Sequence, residues 1–233
     1  MDILLSYDFS SFLLLIMSFV LSMRMFFSER QSEMGQMLKT TRKGKNILPY
    51  IKITAFAAAV FISSFALYLE DVVIHSIMFH LDGWSTPIYS VQAHEFNVFG
   101  CSILTYYSIL CVIRWAALFV SGLLLSAVSM ILKGKLMPIV ADIMVISACI
   151  AASENEADSS LLPYFDPAVL LQPNAAARSF NIVSLFGRPI LSITFICFII
   201  AGYMLLFAAA NVIAYRNTFL SVSLRRRKSN DKE

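Results

Sequence analysis

Long apolar blocks separated by short polar connections dominate the chain, and the blocks have membrane length. The first runs from Phe9 to Phe27 and is interrupted by Arg24 near its end. The second, Ile53 to Leu69, is bounded by Lys52 and Glu70. The third, Phe96 to Leu132, is broken once by Arg114. The fourth, Leu136 to Ser153, contains Asp142, and the fifth, Pro189 to Tyr215, carries no charge. A helix needs roughly 20 apolar residues to cross the hydrocarbon core. Blocks one, two and four are slightly short and borrow flanking residues or snorkelling side chains. Block three suits a tilted or broken span, or one span with an interfacial lead-in. The pattern predicts an all-α, polytopic helical membrane protein of about five spans in one transmembrane domain, 1–233, with spans near 9–27, 53–69, 98–132, 136–153 and 189–215.

Composition agrees. Of 233 residues, 58% are hydrophobic and 14% charged, more apolar surface than a soluble domain of that size hides. The net charge of +3 says little, so the distribution decides. Lys and Arg collect in segment 24–52, in the link Lys133–Lys135, and after block five at Arg216 and Arg225 to Lys228. The other two connections hold only Arg178 and Arg188, with most of the acids: Glu70, Asp71, Asp82 and Glu95, then Glu154, Glu156, Asp158 and Asp166. Basic loops stay cytoplasmic, so the alternation predicts the N-terminus outside and the C-terminus inside. Asp2 and Asp8 precede the first block and Arg24 and Arg30 follow it, the reverse of a signal peptide, so this block is read as a retained span. The basic tail is read as a stop-transfer anchor, the alternative being a contact with anionic headgroups.

Cys101, Cys111, Cys149 and Cys197 all lie inside apolar blocks, without metal or disulfide spacing, and read as small hydrophobes. His75, His80 and His94 share connection 70–95 with Glu70, Asp71 and Asp82, but the five-residue step from His75 to His80 does not stack ligands on one helical face. Neither Gly44-Lys45 nor Gly134-Lys135 completes a Walker A loop. No histidine lies in a block to serve the Ser121 hydroxyl, and Asp142 is the sole carboxylate within one. No catalytic function and no cofactor is therefore expected; the partners are the bilayer and protein, with no nucleic acid.

Arg114 and Asp142, as intramembrane charges, are functional candidates. Arg114 lies 18 residues before Leu132, roughly 27 Å from that end, whereas Asp142 lies about 9 Å past Leu136. Straight helices keep them apart. Arg114 is expected to snorkel to the outer interface and Asp142 to face the bundle or a subunit interface.

Two connections are unusual. Segment 28–49 has a helix-compatible start, Ser28 to Leu38, with Ser28 as a plausible N-cap and Met34, Met37 and Leu38 on one face. A basic turn around Gly44 follows, and Pro49 opens the next span. Segment 154–188 turns apolar after its acidic start, and Pro163, Pro167 and Pro173 limit it to short external pieces at the interface.

This layout resembles the ABC-2 type permeases, the membrane subunits of bacterial ABC exporters. The resemblance rests on Phe27-Ser28-Glu29 leaving a span, then Leu38, Thr40-Thr41, Gly44-Lys45 and Lys52, and on the apolar segment before the last span. It extends over essentially the whole chain. Gly35, after Glu33, is displaced from the family's usual place, and the family's six spans imply that its first is missing here. The resemblance implies a bacterial cell membrane, a separate cytoplasmic ABC ATPase, and a second permease copy or homologous half. It makes Glu29, Glu33, Met34, Met37, Leu38, Arg42, Lys43 and Lys45 an ATPase-coupling loop, with short external helices over 154–188 as an exit gate. Export of a peptide, drug or lipid follows. The alternative is a non-transporting assembly or immunity factor that binds a partner in the bilayer.

Overall fold

The structure, a computed structural model, describes residues 9–27, 47–79, 83–91, 94–95, 100–132, 137, 139–144, 147, 182–185 and 188–230. Helix α1, Phe9–Ser22, ends in a π-helical turn, Met23–Phe27. Its buried side is a stripe of Ser10, Ser11, Leu14, Leu15, Ser18 and Ser22. Small residues at helical spacing let two backbones approach closely, and α1 packs along α3 on this face.

Helix α2, Leu48–Phe79, opens with Pro49 in its first turn, where a missing N–H costs nothing. Lys52, Phe56, Val60, Ser64 and Tyr68 repeat every four residues and form its buried stripe. The helix runs ten residues beyond Leu69, where the charges Glu70 and Asp71 suggested its end. A charge stops burial in hydrocarbon but not a helix, and no Gly or Pro intervenes between Pro49 and Gly83. Gly83 then turns the chain at φ +89°, a conformation that disfavours any side chain.

The described part of the connection to α3 is tied by backbone hydrogen bonds. Thr86 N donates to Gly83 O at 2.9 Å, a short 3₁₀ turn spans Ile88–Ser90, and Ile88 is fully buried. Ile88 N donates to Cys101 O and Ile103 N to Thr86 O, both at 3.0 Å. This bridge pairs Ser102, in extended conformation, with Pro87, and Ser102 Oγ accepts from Thr105 N as an N-cap. Helix α3 is thus Ile103–Ile131, shorter than the apolar run from Phe96 suggested.

Helix α3 is the centre of the bundle. Of its most apolar window 61% is buried, against 17% in α2 and 28% in the last helix. Residues 139–144 are helical within the fourth block. Strands β1, Ile182–Leu185, and β2, Arg188–Leu191, pair antiparallel with Leu185 opposite Arg188. This corrects the expectation that 154–188 is helical to its end and that the last span starts at 189. Ile182 and Val183 are β-branched, and Pro189 is tolerated in a two-stranded ribbon yet would interrupt a helix. Helix α4, Ser192–Asn230, follows directly and continues well past Tyr215.

By length and composition, three helices among the described residues can cross a membrane: Leu48–Phe79, Ile103–Met130 and Ser192–Tyr215; Phe9–Met25 is a shorter apolar helix. The architecture is a mostly helical membrane-type bundle around α3.

Candidate functional site

Side-chain contacts fix the relative directions of the helices. At one end Lys52 Nζ donates to Met25 O at 3.0 Å and stands 5.5 Å over the Tyr215 ring. Met25 stands in the π-helical turn after α1, and the buried lysine serves its carbonyl. One side chain of α2 thereby ties the turn that ends α1 to Tyr215 of α4. At the other end Tyr107 Oη donates to Tyr68 O at 3.2 Å, and Ser11 Oγ lies 3.5 Å from Tyr68 Oη. Helices α1 and α3 therefore run parallel, with α2 against them. Asn211 Nδ2 donates to Leu123 O at 2.8 Å and Ser126 Oγ to Asn211 Oδ1 at 2.7 Å; with Tyr215, one turn further along α4, at the Lys52 end, α4 follows the direction of α3.

The Tyr68 end carries a cluster of polar groups. Arg114 is 2% exposed and lies within electrostatic reach of Tyr68, Asp71, Tyr107 and Cys111. The Ser10 hydroxyl donates to the Asp71 carboxylate, and the His75 ring Nδ1 lies 2.8 Å from Asp71 O. Arg114 is thus turned into the bundle, not outward to the interface. The reason is local: α3 is surrounded on most sides, and a carboxylate and two phenols one to three turns away offer better solvation than a long reach through hydrocarbon.

Asp142 is 0% exposed and lies beside Ser129 near the far end of α3. Ser129, whose Oγ donates to Leu125 O at 2.7 Å, is the polar neighbour its carboxylate has among the described residues. From Arg114 to Ser129 is a rise of about 22 Å along α3. Arg114 and Asp142 therefore lie at different levels along α3.

Between α2 and α3 lies a cavity of about 690 Å³. Its walls include Phe61, Phe65, Tyr68 and Leu69 from α2 and Leu104, Tyr107, Ser108, Cys111 and Trp115 from α3, with Trp84 at one end. Trp115 is edge-on to Phe61 at 5.5 Å and Trp84 edge-on to Tyr107 at 6.4 Å. The Trp115 indole N–H has no acceptor among the described residues, a mark of an apolar floor.

The predicted coupling-loop residues Glu29, Glu33, Met34, Met37, Leu38, Arg42, Lys43 and Lys45 lie outside the described residues. Of the histidines, His75 stacks on Phe79 and His94 sits edge-on to Tyr106, in separate contacts. Asn211 was missed by a reading that searched for charges alone; its signal was an amide inside an otherwise apolar block. The cavity had no sequence signal beyond two tryptophans. No protein-family model, no curated protein and no solved structure matches this chain.

Proposed function

We propose that the chain is the permease subunit of an ATP-driven exporter in a bacterial cell membrane, working as a pair of copies or halves with a separate cytoplasmic ATPase. The observation that carries this reading is the junction at Lys52. A loop that transmits force from a partner must be anchored to more than one span, and segment 28–47 leaves a point where α1, α2 and α4 are held by one buried side chain. Displacing the loop would move three helices together. The lateral cavity supports export of an amphipathic molecule, lipid-like or a drug, that enters from the bilayer.

Five spans, N-out and C-in, fit the packing. Helices α3 and α4 run parallel, so the chain between them must cross once, and the block at 136–153 with its helical stretch 139–144 is the available span. The Lys52 end, flanked by Arg24 and the basic segment 39–45, is then cytoplasmic.

The test is co-purification with candidate cytoplasmic ABC ATPases co-expressed with this chain. Met37→Asp or Leu38→Asp should abolish both co-purification and ATPase stimulation. Full binding and stimulation in both variants would sink the coupling loop and leave the non-transporting alternative.

A further inference from the structure

The cavity between α2 and α3 has a length, an opening and a charge environment that together select an occupant. From Leu104 at one end to Trp115 at the other is a rise of about 16 Å along α3, so the space is a slot parallel to the helices. Phe61, Phe65, Leu69, Leu104 and Val112 on its rim are all more than half exposed. They stand on helices long enough to cross a membrane, so the slot opens sideways into hydrocarbon. A slot with such apolar walls gains dispersion contacts from an alkyl chain lying in it. Its volume falls within the about 300–1,000 Å³ typical of small-molecule sites.

The Trp84 end differs from the Trp115 end. There the edge-on pair Trp84 and Tyr107 lines the slot, and aromatic rings are the groups that recognise quaternary ammonium ions. The charge of Asp71 reaches Tyr107, and that of Arg114 reaches it from about 10 Å further along α3. Between Lys52 and Arg114 the sequence holds no lysine or arginine, while Glu70 and Asp71 directly follow Leu69, which lines the slot on α2. Such a mouth disfavours an anionic head.

We propose that the slot binds a single-chain cationic amphiphile, its ammonium head against Trp84 and Tyr107 and its tail running along α2 and α3 to Trp115. Binding is a property of this chain alone and does not depend on coupling to an ATPase; under the permease reading it names the substrate class.

Trp84 and Trp115 are the chain's 2 tryptophans, and both line the slot, so intrinsic fluorescence reports occupancy directly. The full chain in neutral phosphatidylcholine vesicles is titrated with hexadecyltrimethylammonium carrying a terminal bromine, and separately with the bromine-tailed hexadecyl sulfate. The ammonium compound should quench saturably, at a mole fraction about fivefold lower than the sulfate. Trp84→Phe should retain the quenching, because the tail bromine reaches Trp115. Ser108→Phe and Val112→Phe, both at lipid-facing positions, should reduce it to the linear level of free partitioning. Equal quenching by the two amphiphiles overturns the head assignment. Linear quenching in the unaltered chain, or saturable quenching that survives both blocking variants in folded protein, overturns the site. Saturable, head-selective binding together with failure of the Met37→Asp test would leave the slot standing and remove the permease.

Discussion

Asn211 on α4 and Ser126 on α3 form a closed polar contact inside an otherwise apolar helix interface. Ser126 Oγ donates to Asn211 Oδ1 at 2.7 Å, while Asn211 Nδ2 is shared between Leu123 O and Phe207 O, both at 2.8 Å. Every polar atom of the amide is used, and both residues are at most 1% exposed. This is how a polar side chain becomes tolerable in hydrocarbon, and it aligns α4 with α3 at one position along their length.

The contact predicts a modest stability effect. Asn211→Leu should destabilise by about 1 kcal/mol, since interhelical hydrogen bonds in membranes average about 0.6 and reach about 1.7 kcal/mol. Ser126→Ala should lose less, and the double variant should fall short of the sum. Unfolding in mixed micelles by increasing sodium dodecyl sulfate measures all three; strict additivity would show that the two side chains do not cooperate.

Gly122 predicts a steric effect. A Cβ at this position would run into the Phe56 ring and lie 3.3 Å from Ser18 Oγ, so α1, α2 and α3 meet over its missing side chain. Gly122→Ala should destabilise by about 1–3 kcal/mol through overpacking. Phe56→Leu in the same chain should recover part of the loss. Gly202, with nothing within 4 Å, is the control: Gly202→Ala should be neutral or stabilise by up to about 1 kcal/mol through helix propensity. The same unfolding series distinguishes the pair, and equal effects at both glycines would contradict the packing.

Lys52 predicts a local opening. Replacing it with Met removes the donor to Met25 O and the cation over Tyr215 while keeping most of the buried stem. In a cysteine-free background, Met25→Cys should react with maleimide several-fold faster when Lys52→Met is added. Ser90→Cys, at the opposite end, should be unaffected. An unchanged rate at position 25 would show that the junction is held by packing alone.

The parts of this fold that were legible in the sequence are those set by solvation. Apolar blocks located α1, α2, α3 and α4, and the rise per residue kept Arg114 from Asp142. What was not legible depends on neighbours or on backbone chemistry. Helix α2 outlasts its apolar block because Glu70 and Asp71 do not break helices, and α3 begins late because Ser102, extended and bridged to Pro87, caps its first turn. The hairpin at Ile182–Leu191 looked like interfacial helix because both are short and apolar. Arg114 looked like a snorkelling residue because its distance from one helix end was visible and the company of Tyr68 and Asp71 was not. Asn211 escaped because an amide has no charge to count.

That inward placement of Arg114 is itself open to measurement. Its charge and that of Asp71 lie within mutual reach, with Ser10 also donating to the carboxylate. In low dielectric an opposite charge favours the ionised form of each group, whereas an arginine directed to the interface would exchange little energy with Asp71. Arg114→Met and Asp71→Asn should each destabilise the chain, and the double variant should be less destabilised than the sum. The coupling should be about 0.5–1 kcal/mol, at the low end for neighbouring residues because Asp71 is only partly buried and solvent screens it. Raising the salt from low to molar concentration should leave most of that coupling in place, since Arg114 is out of reach of mobile ions. A coupling of zero, or one that vanishes in salt, would place the guanidinium at the surface and remove Arg114 from the polar cluster.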